Sequence, residues 1–429
     1  MRTALLLTML ATAMTASLAA AAAGPLDAIA RDYVALVLAV GQHDADYVDA
    51  YYGPPEWRAA AKAAGKRPLA ELGVEAARLR AAGAAAALAA ADAPRRDYLD
   101  GQLAAVAAEL DRLGGKRLSF DDEAEAFYQL RPPHHALPEF DAALAELGAL
   151  LPGPGSVPER FQAYRARFIV PTAKVDAVFQ AAIAEARRRT QAQAALPPSE
   201  TFTVEYVTGK TWSGYNWYQG AARSLIQVNL DLPIYIDRAL DLAAHEGYPG
   251  HHAYNALLEA NLAQRRGWVE FTVYPLFSPQ SLIAEGSANF GIEVAFPGEA
   301  RTRFEREVLF PLAGLDPAEA ARYAAVRAIA KQLSFAGNEA ARDYLDGRID
   351  RAAAEAFLVR YALMTAAQAA QRVRFMDQYR AYVINYNAGE ALVRAWIEGQ
   401  GGTTADPARR WALFIDLISS PRLPRALQR

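Results

Sequence analysis

Hydrophobic side chains recur at helical spacing along most of the chain. In the segment VDAVFQAAIAEA the apolar positions follow the i, i+3, i+4, i+7 pattern of one helix face, and they are Val175, Val178, Phe179, Ala182, Ile183 and Ala186. Similar periodicity predicts further helices at residues 253–262, 282–294, 317–333, 339–361 and 369–389. The pattern therefore predicts a mainly helical chain.

One region has a different pattern. Residues 201–233 are rich in Thr, Val, Tyr, Trp and Ile and contain glycine turns, which is typical of strands joined by hairpins. Directly after it, Ile236, Ala239, Leu240 and Ala243 again lie on one helix face. The predicted fold class is α+β: mainly α with a small antiparallel β-sheet.

The amino-acid composition excludes several classes of function and of metal site. The chain has 45 basic and 48 acidic residues, a formal net charge of −3 and no basic stripe, so we expect no nucleic-acid partner. It has no cysteine, so disulfides are excluded and a metal site must use His, Asp or Glu.

The first 23 residues resemble a secretory signal peptide. Together with Gly24 they read MRTALLLTMLATAMTASLAAAAAG, with one cation, Arg2, and then an apolar stretch that ends in small residues. The alternative, an uncleaved membrane anchor, fits less well because the stretch is weakly hydrophobic. We expect a secreted or periplasmic protein that has no membrane association after cleavage of this segment.

Histidine is concentrated in one short segment, which holds three of the six histidines. In HEGYPGHH, His245 and Glu246 form the pair that hydrolytic zinc sites use, with the imidazole as ligand and the carboxylate as general base. The usual H-E-x-x-H spacing places the second ligand at i+4. In a straight helix His251 would face about 120° away from His245, and His252 would lie about 10.5 Å further along the axis.

Pro249 and Gly250 change this geometry. Proline removes the backbone hydrogen bond to residue i−4 and clashes with that turn, while glycine permits unusual dihedral angles. We therefore predict a bulge or kink at residues 248–250 that brings a later histidine back to the metal. The sequence leaves open whether this ligand is His251 or His252.

A third ligand is predicted on a later helix. Glu285, Asn289 and Glu293 are spaced by four residues on one helical face. Glu285 is the expected ligand, Asn289 is expected to orient a ligating imidazole, and Glu293 is placed with it in the outer sphere of the metal.

These motifs resemble the DUF885 family, which is assigned to the zincin-like metallopeptidases on the gluzincin side. The family pattern runs H-E-x-x-P-G-H-H, then E-G-W-A-L-Y-x-E, then Y-x-x-G, and the chain has HEGYPGHH, EGSANFGIE and YNAG over roughly residues 201–389. The second block departs from the pattern at Ser287, Asn289 and Phe290, and Glu293 falls one place late. The resemblance implies a zincin-like helical fold, a bound Zn²⁺ ion and peptide-bond hydrolysis.

The resemblance also suggests substrate-handling residues near the C-terminus. Tyr386 is the expected oxyanion stabiliser, with Tyr382 as the second candidate. Arg374 and Arg380 are candidates for binding the C-terminal carboxylate of a substrate. We expect residues 24–195 to form a helical region that covers the cleft and residues 196–429 to form the zincin-like catalytic region.

The leading hypothesis is an exported zinc-dependent peptidase acting on short peptides, in which Glu246 is the general base for zinc-bound water. One alternative is a metal-dependent hydrolase of a non-peptide amide or ester, because the same site chemistry serves both. Another is a non-catalytic binding protein on a zincin scaffold, although such a protein has no need of Glu246. Sequence preference, the end from which peptides are cut and the oligomeric state are not encoded in these motifs.

Overall fold

The computed structural model describes residues 24–210 and 212–428, so the predicted signal peptide at residues 1–23 lies outside the described residues. Most of the described residues are helical, and the strands are few and short. The predicted mainly helical α+β class is confirmed.

The first part of the described chain is almost entirely helical. Its elements are α1 (Asp27–Val40), β1 (Val48–Tyr51), α2 (Pro55–Ala64), α3 (Leu69–Ala85), α4 (Ala93–Leu113), α5 (Phe120–Tyr128), α6 (Leu137–Leu150), α7 (Val157–Ala166) and α8 (Val175–Gln191). Local sequence sets several of these starts. The hydroxyl of Ser156, for example, accepts a hydrogen bond from the backbone N–H of Glu159, and the carboxylate of Glu159 accepts one from the backbone N–H of Ser156. These two bonds form a capping box at the start of α7.

A three-stranded sheet follows, with β2 (Thr201–Val207), β3 (Gly214–Gly220) and β4 (Arg223–Asn229) in the order β2-β4-β3. The β3–β4 hairpin is antiparallel, as predicted, but β2 pairs with β4 in parallel. The sequence pattern predicts which segments form strands but not the order in which the strands pair. In the structure β4 is the central strand. Its residues Ser224, Ile226 and Val228 are buried accordingly.

The remaining chain returns to helices. These elements are α9 (Ile236–Leu242), α10 (His251–Leu258), β5 (Val273–Pro275), α11 (Pro279–Ala295), α12 (Glu299–Phe304), α13 (Phe310–Ala313), α14 (Ala320–Lys331), α15 (Ala336–Leu345), α16 (Arg351–Tyr361), α17 (Ala366–Tyr379), α18 (Ile384–Gly399), α19 (Pro407–Ile418) and α20 (Pro424–Leu427). Strand β5 pairs antiparallel with β1 and joins distant parts of the chain. Wider π-helical turns follow α9, α10 and α12 at Ala243–Gly247, Glu259–Gln264 and Glu305–Leu309.

Two of the predicted helices are each broken in the structure. The segment 339–361 is divided between α15 and α16, because Gly347 takes a positive φ of 74° and Asp350 caps the start of α16. The segment 369–389 is divided between α17 and α18 at Arg380, whose φ is 49°. Helical periodicity continues across both breaks, so the pattern alone does not reveal them.

Two large hydrophobic cores of the described residues stabilise this arrangement, and each contains residues from both halves of the chain. One contains Phe179 of α8 together with Phe290 of α11 and Phe414 of α19. The other contains Tyr33 of α1 together with Val373 of α17. The division into residues 24–195 and 196–429 stays a prediction.

Helices α11 and α18 cross very closely. A Cβ atom added to Gly286 would lie 2.4 Å from the carbonyl carbon of Gly389, and one added to Gly389 would lie 2.8 Å from the carbonyl oxygen of Leu282. The two glycines therefore let the helix of Glu285 approach the helix of Tyr386.

Among the described residues, no helix combines the length and the apolar character that a membrane span requires.

Candidate metal centre

The His-Glu segment leaves the α-helix at the predicted place. After the π-helical turn Ala243–Gly247 the helix stops, and α10 begins at His251. The backbone N–H of Gly250 donates to the carbonyl of Ala244 at 3.0 Å, and a Cβ at Gly250 would lie 1.8 Å from the carbonyl oxygen of His245. Only glycine fits this contact, which folds the chain back on itself and turns His251 toward His245.

Three ligand atoms converge at this point. Nε2 of His251 lies 3.1 Å from Nε2 of His245. Oε2 of Glu285 lies 3.2 Å from Nε2 of His245 and 3.6 Å from Nε2 of His251. All three atoms lie within 4.8 Å of one another. They come from the π-helical turn, the start of α10 and the middle of α11, respectively.

This set fits a tetrahedral metal ion. Ligand bonds of about 2.0–2.1 Å at tetrahedral angles place neighbouring ligand atoms about 3.3 Å apart, close to the three separations in the structure. Oε2 of Glu285 is buried and has no hydrogen-bond partner among the described residues. A buried carboxylate oxygen without a partner is unfavourable unless a cation or proton binds it. Two imidazoles and one carboxylate are a donor set that suits Zn²⁺.

The electrostatics of the cluster fit the same interpretation. Burial raises the pKa of Glu285, but the two histidines lower it more, so its pKa lies well below the ordinary value. Burial lowers the pKa of His251, but the surrounding carboxylates, with Glu285 foremost, raise it to about 9. The metal-free cluster therefore favours positive charge at its centre.

Asn289 fixes the orientation of His245. Its Nδ2 donates to the backbone carbonyl of Tyr386 at 2.7 Å, which leaves Oδ1 to accept from Nδ1 of His245 at 3.0 Å. Nδ1 therefore carries the hydrogen, and the lone pair of Nε2 faces the other two ligands.

Tyr386 of α18 and Tyr382 of the turn before this helix have different contacts. The hydroxyl of Tyr382 donates to Oε1 of Glu285 at 2.8 Å, so this tyrosine orients the Glu285 carboxylate and is itself buried. The hydroxyl of Tyr386 has no hydrogen bond to a described residue, and its side chain is half-buried. Burial and the nearby carboxylate of Glu285 raise the pKa of Tyr386, so its hydroxyl remains a donor.

Glu246 lies between the cluster and the sheet. Its side chain is buried, and its backbone carbonyl accepts from Nδ2 of Asn216 on β3 at 2.7 Å. A Cβ at Gly214 of β3 would lie 3.0 Å from Oε1 of Glu246, so the strand runs directly past this carboxylate. Among the described residues the Glu246 carboxylate has no ion-pair partner.

His252 is not part of the cluster, which corrects its inclusion among the predicted ligands. Its side chain is fully buried, with Nδ1 2.8 Å from Oγ of Ser224 and Nε2 3.0 Å from Oε2 of Glu200. Adjacent residues at the start of a helix point about 100° apart, so His252 faces the sheet when its neighbour His251 faces His245 and Glu285. The hydrogen bond between His252 and Ser224 connects the start of α10 to β4.

Glu293 is also placed differently from the prediction. It forms ion pairs with Arg394 at 2.6 Å and with Lys331 at 2.7 Å. These contacts join α11 to α18 and α14, and Glu293 does not contact a predicted ligand. Its role is therefore in helix packing.

Neither predicted arginine is presented to the cluster. Nε of Arg380 lies 2.6 Å from Glu123 of α5, so its charge is used within the fold. Arg374 is exposed on α17, and no ion pair of the described residues includes it. The structure thus places Arg380 in an ion pair within the fold and Arg374 on an exposed face, and their binding of substrate stays a prediction.

The structure adds a residue that the sequence motifs missed. Asp49 of β1 accepts a hydrogen bond from the hydroxyl of Tyr215 on β3. Burial raises the pKa of Asp49 to about 6, and both His251 and Glu285 are close enough to affect it. It lies almost two hundred residues before the His-Glu segment and in no motif, so no signal in the sequence indicated it.

Comparison with known proteins gives a likeness in fold. No family model matches the chain, and no curated protein sequence matches it. A crystal structure from Colwellia psychrerythraea, provisionally described as a lipoprotein, matches with a TM-score of 0.52 and 15% identity over 83% of this chain and 65% of that one. A Shewanella oneidensis protein, provisionally described as a lipoprotein of unknown function, matches with a TM-score of 0.43 and 13% identity over 85% of this chain and 75% of that one. The chain thus spans about two thirds of the length of the first of these proteins.

Proposed function

We propose that the protein is an exported zinc-dependent peptidase, related to the DUF885 family, that hydrolyses short peptides. The single observation that carries the proposal is the convergence of His245, His251 and Glu285 beside an unpaired Glu246. Two imidazoles and a carboxylate next to a free carboxylate are the components of a hydrolytic zinc centre.

Zinc held by these three residues would polarise a water molecule and a substrate carbonyl group. The chain supplies the proton transfers. The carboxylate of Glu246 accepts a proton from the attacking water and returns it to the leaving nitrogen, which breaks the peptide bond. The hydroxyl of Tyr386 donates a hydrogen bond to the carbonyl oxygen as negative charge develops there.

Strand β3 supports the choice of a peptide as substrate. It is an edge strand of the sheet, and it runs past Glu246 at Gly214. An extended peptide can add to such an edge through backbone hydrogen bonds, which would place its scissile bond near the general base. An amide or ester of another class would not use this edge.

The test compares the wild-type protein with Glu246→Gln, both loaded with zinc to the same content. Each is incubated with a mixed pool of peptides and, separately, with small amides and esters, and the products are identified by mass spectrometry. We expect the wild type to cleave peptides and the variant to lose at least about 10²-fold in rate while it keeps its zinc.

Three outcomes would oppose the proposal in different ways. Hydrolysis retained in Glu246→Gln would remove the assigned role of Glu246. Hydrolysis only of small amides or esters would identify the alternative hydrolase. Zinc binding without any hydrolysis would favour a binding protein.

A further inference from the structure

Arg372, a cation next to the candidate centre, has no counter-ion among the described residues. The guanidinium carbon of Arg372 on α17 lies 5.8 Å from the ring centroid of Tyr386 and 5.0 Å from that of Phe375. The side chain is half-buried. Among the described residues, neither a hydrogen bond nor an ion pair to Arg372 is present.

This distinguishes Arg372 from the other basic residues nearby. Arg380, eight positions along, pairs with Glu123, and Arg394 pairs with Glu293 and Glu390. Burial lowers the pKa of Arg372, and the effect of Tyr386 only partly opposes this. An arginine nevertheless remains charged at neutral pH. A partly desolvated guanidinium with only aromatic neighbours is a position that an anion from outside the chain would stabilise.

The path from Arg372 to the three ligands is short. Tyr386, which Arg372 contacts, packs its ring 5.9 Å from that of Tyr382, and Tyr382 donates to Glu285. The backbone of Tyr386 is tied to His245 through Asn289. Both Glu285 and Glu246 are near enough to influence the phenol of Tyr386 from the other direction. Arg372 is therefore one aromatic ring away from the candidate centre.

We infer that Arg372 binds the free C-terminal carboxylate of the peptide substrate, which makes the protein a peptidase that trims peptides from that end. The inference rests on the proposed function and adds the substrate class. A planar guanidinium matches a carboxylate through two parallel hydrogen bonds, and a neutral C-terminal amide cannot replace this charge. An acidic side chain offers the same chemistry, and the experiment separates the two sources.

Binding is measured in Glu246→Gln loaded with zinc, so that no turnover occurs. The probes are N-acetylated tripeptides in three forms: the free acid, the C-terminal amide, and the amide with a central glutamate. Calorimetry on this background is repeated after adding Arg372→Gln, Arg372→Lys or Arg374→Gln. Arg374, two positions away on α17 and exposed, is the arginine that the sequence analysis named for the same carboxylate, so its variant distinguishes the two assignments.

We expect amidation to weaken binding about 10- to 100-fold when Arg372 is present, and Arg372→Gln to weaken free-acid binding by a similar factor. In the Arg372→Gln protein, amidation should then have little further effect. Arg372→Lys should keep part of the preference, and Arg374→Gln should keep all of it.

Equal binding of acid and amide by the protein that retains Arg372 would overturn the inference without any need for a variant. A preference that survives Arg372→Gln would also overturn it, and binding gained only by the glutamate-containing amide would assign Arg372 to an acidic side chain instead. Acid-selective binding without cleavage by the wild type would leave Arg372 correct and refute the peptidase. Cleavage of free acids and amides at equal rates would support the peptidase and refute the role of Arg372.

Discussion

At the scale of single residues, the second ligand is decided by contacts that the motif does not contain. The sequence HEGYPGHH predicts a break and two candidate histidines, and it cannot choose between them. The structure gives His251 to the cluster because His252 bonds to Ser224 and Glu200, which lie 28 and 52 positions before it. The direction of an imidazole depends on such distant partners, so spacing alone left it open.

The role of Asn289 leads to a first prediction. Asn289→Ala removes the acceptor for Nδ1 of His245, so the ring can rotate and change tautomer, and we expect zinc affinity to fall about 10- to 100-fold. Competition with a chromophoric chelator measures this. The control is Glu293→Gln, one turn further along α11, which should keep the wild-type affinity. Equal losses in both variants would show that the helix, and not the hydrogen bond, is responsible.

At the scale of secondary-structure elements, periodicity predicted most helices but not how they are paired. The helix at residues 175–186 and the strand region at 201–233 both correspond to observed elements. The parallel pairing of β2 with β4 and the break at Gly347 were not predicted. Neither depends on apolar spacing: the first depends on chain routing, and the second on one glycine and the cap that follows it.

The crossing of α11 and α18 gives a second prediction. Gly286→Ala places a methyl group against the backbone of Gly389, so the helices must separate, and we expect the free energy of unfolding to fall by about 1–3 kcal/mol. Zinc affinity should fall as well, because Glu285 and Tyr382 move apart. Urea unfolding of the metal-free protein measures the first effect.

The matched control for this prediction is Gly399→Ala, at the end of α18. No atom lies within 4 Å of a Cβ added there, so we expect stability equal to or slightly above that of the wild type. A similar loss in both variants would contradict the assigned role of the crossing.

At the scale of the whole molecule, long-range ion pairs and shared cores join residues 24–195 to residues 196–429. Breaks at Pro- and Gly-rich segments led to a division near residue 195, whereas each core contains residues from both sides. Local breaks mark the ends of helices and carry no information on which helices pack together. Asp49 likewise reaches the candidate site through a distant contact, the hydrogen bond from Tyr215 of β3.

The ion pairs of Glu293 predict a pH dependence of stability. Burial raises the pKa of Glu293, but Arg394 and Lys331 lower it to about 2, below its ordinary value of 4.5. Because the folded pKa is the lower one, this carboxylate stabilises the fold above about pH 4.5, and the contribution is lost as pH falls toward 2. With allowance for its partial exposure, we expect Glu293→Gln to lose about 1–2 kcal/mol at pH 7 and almost nothing near pH 2.

Urea unfolding of the zinc-free protein at several pH values measures this difference. Glu146→Gln, at an exposed position in the body of α6 and outside the first helical turn, should show almost no pH-dependent difference from the wild type. A deficit in Glu293→Gln that persists unchanged at low pH would indicate lost packing and not lost charge.

The central claim is that His245, His251 and Glu285 bind one zinc ion, and the zinc content of the purified protein tests it most directly. Wild type, His251→Ala and His252→Gln are incubated with zinc, passed through metal-free buffer and analysed by inductively coupled plasma mass spectrometry, with circular dichroism to verify folding. We predict close to one zinc ion per chain in the wild type and His252→Gln, and almost none in His251→Ala. A folded wild type without zinc, or a His251→Ala protein that retains zinc while His252→Gln loses it, would contradict the account.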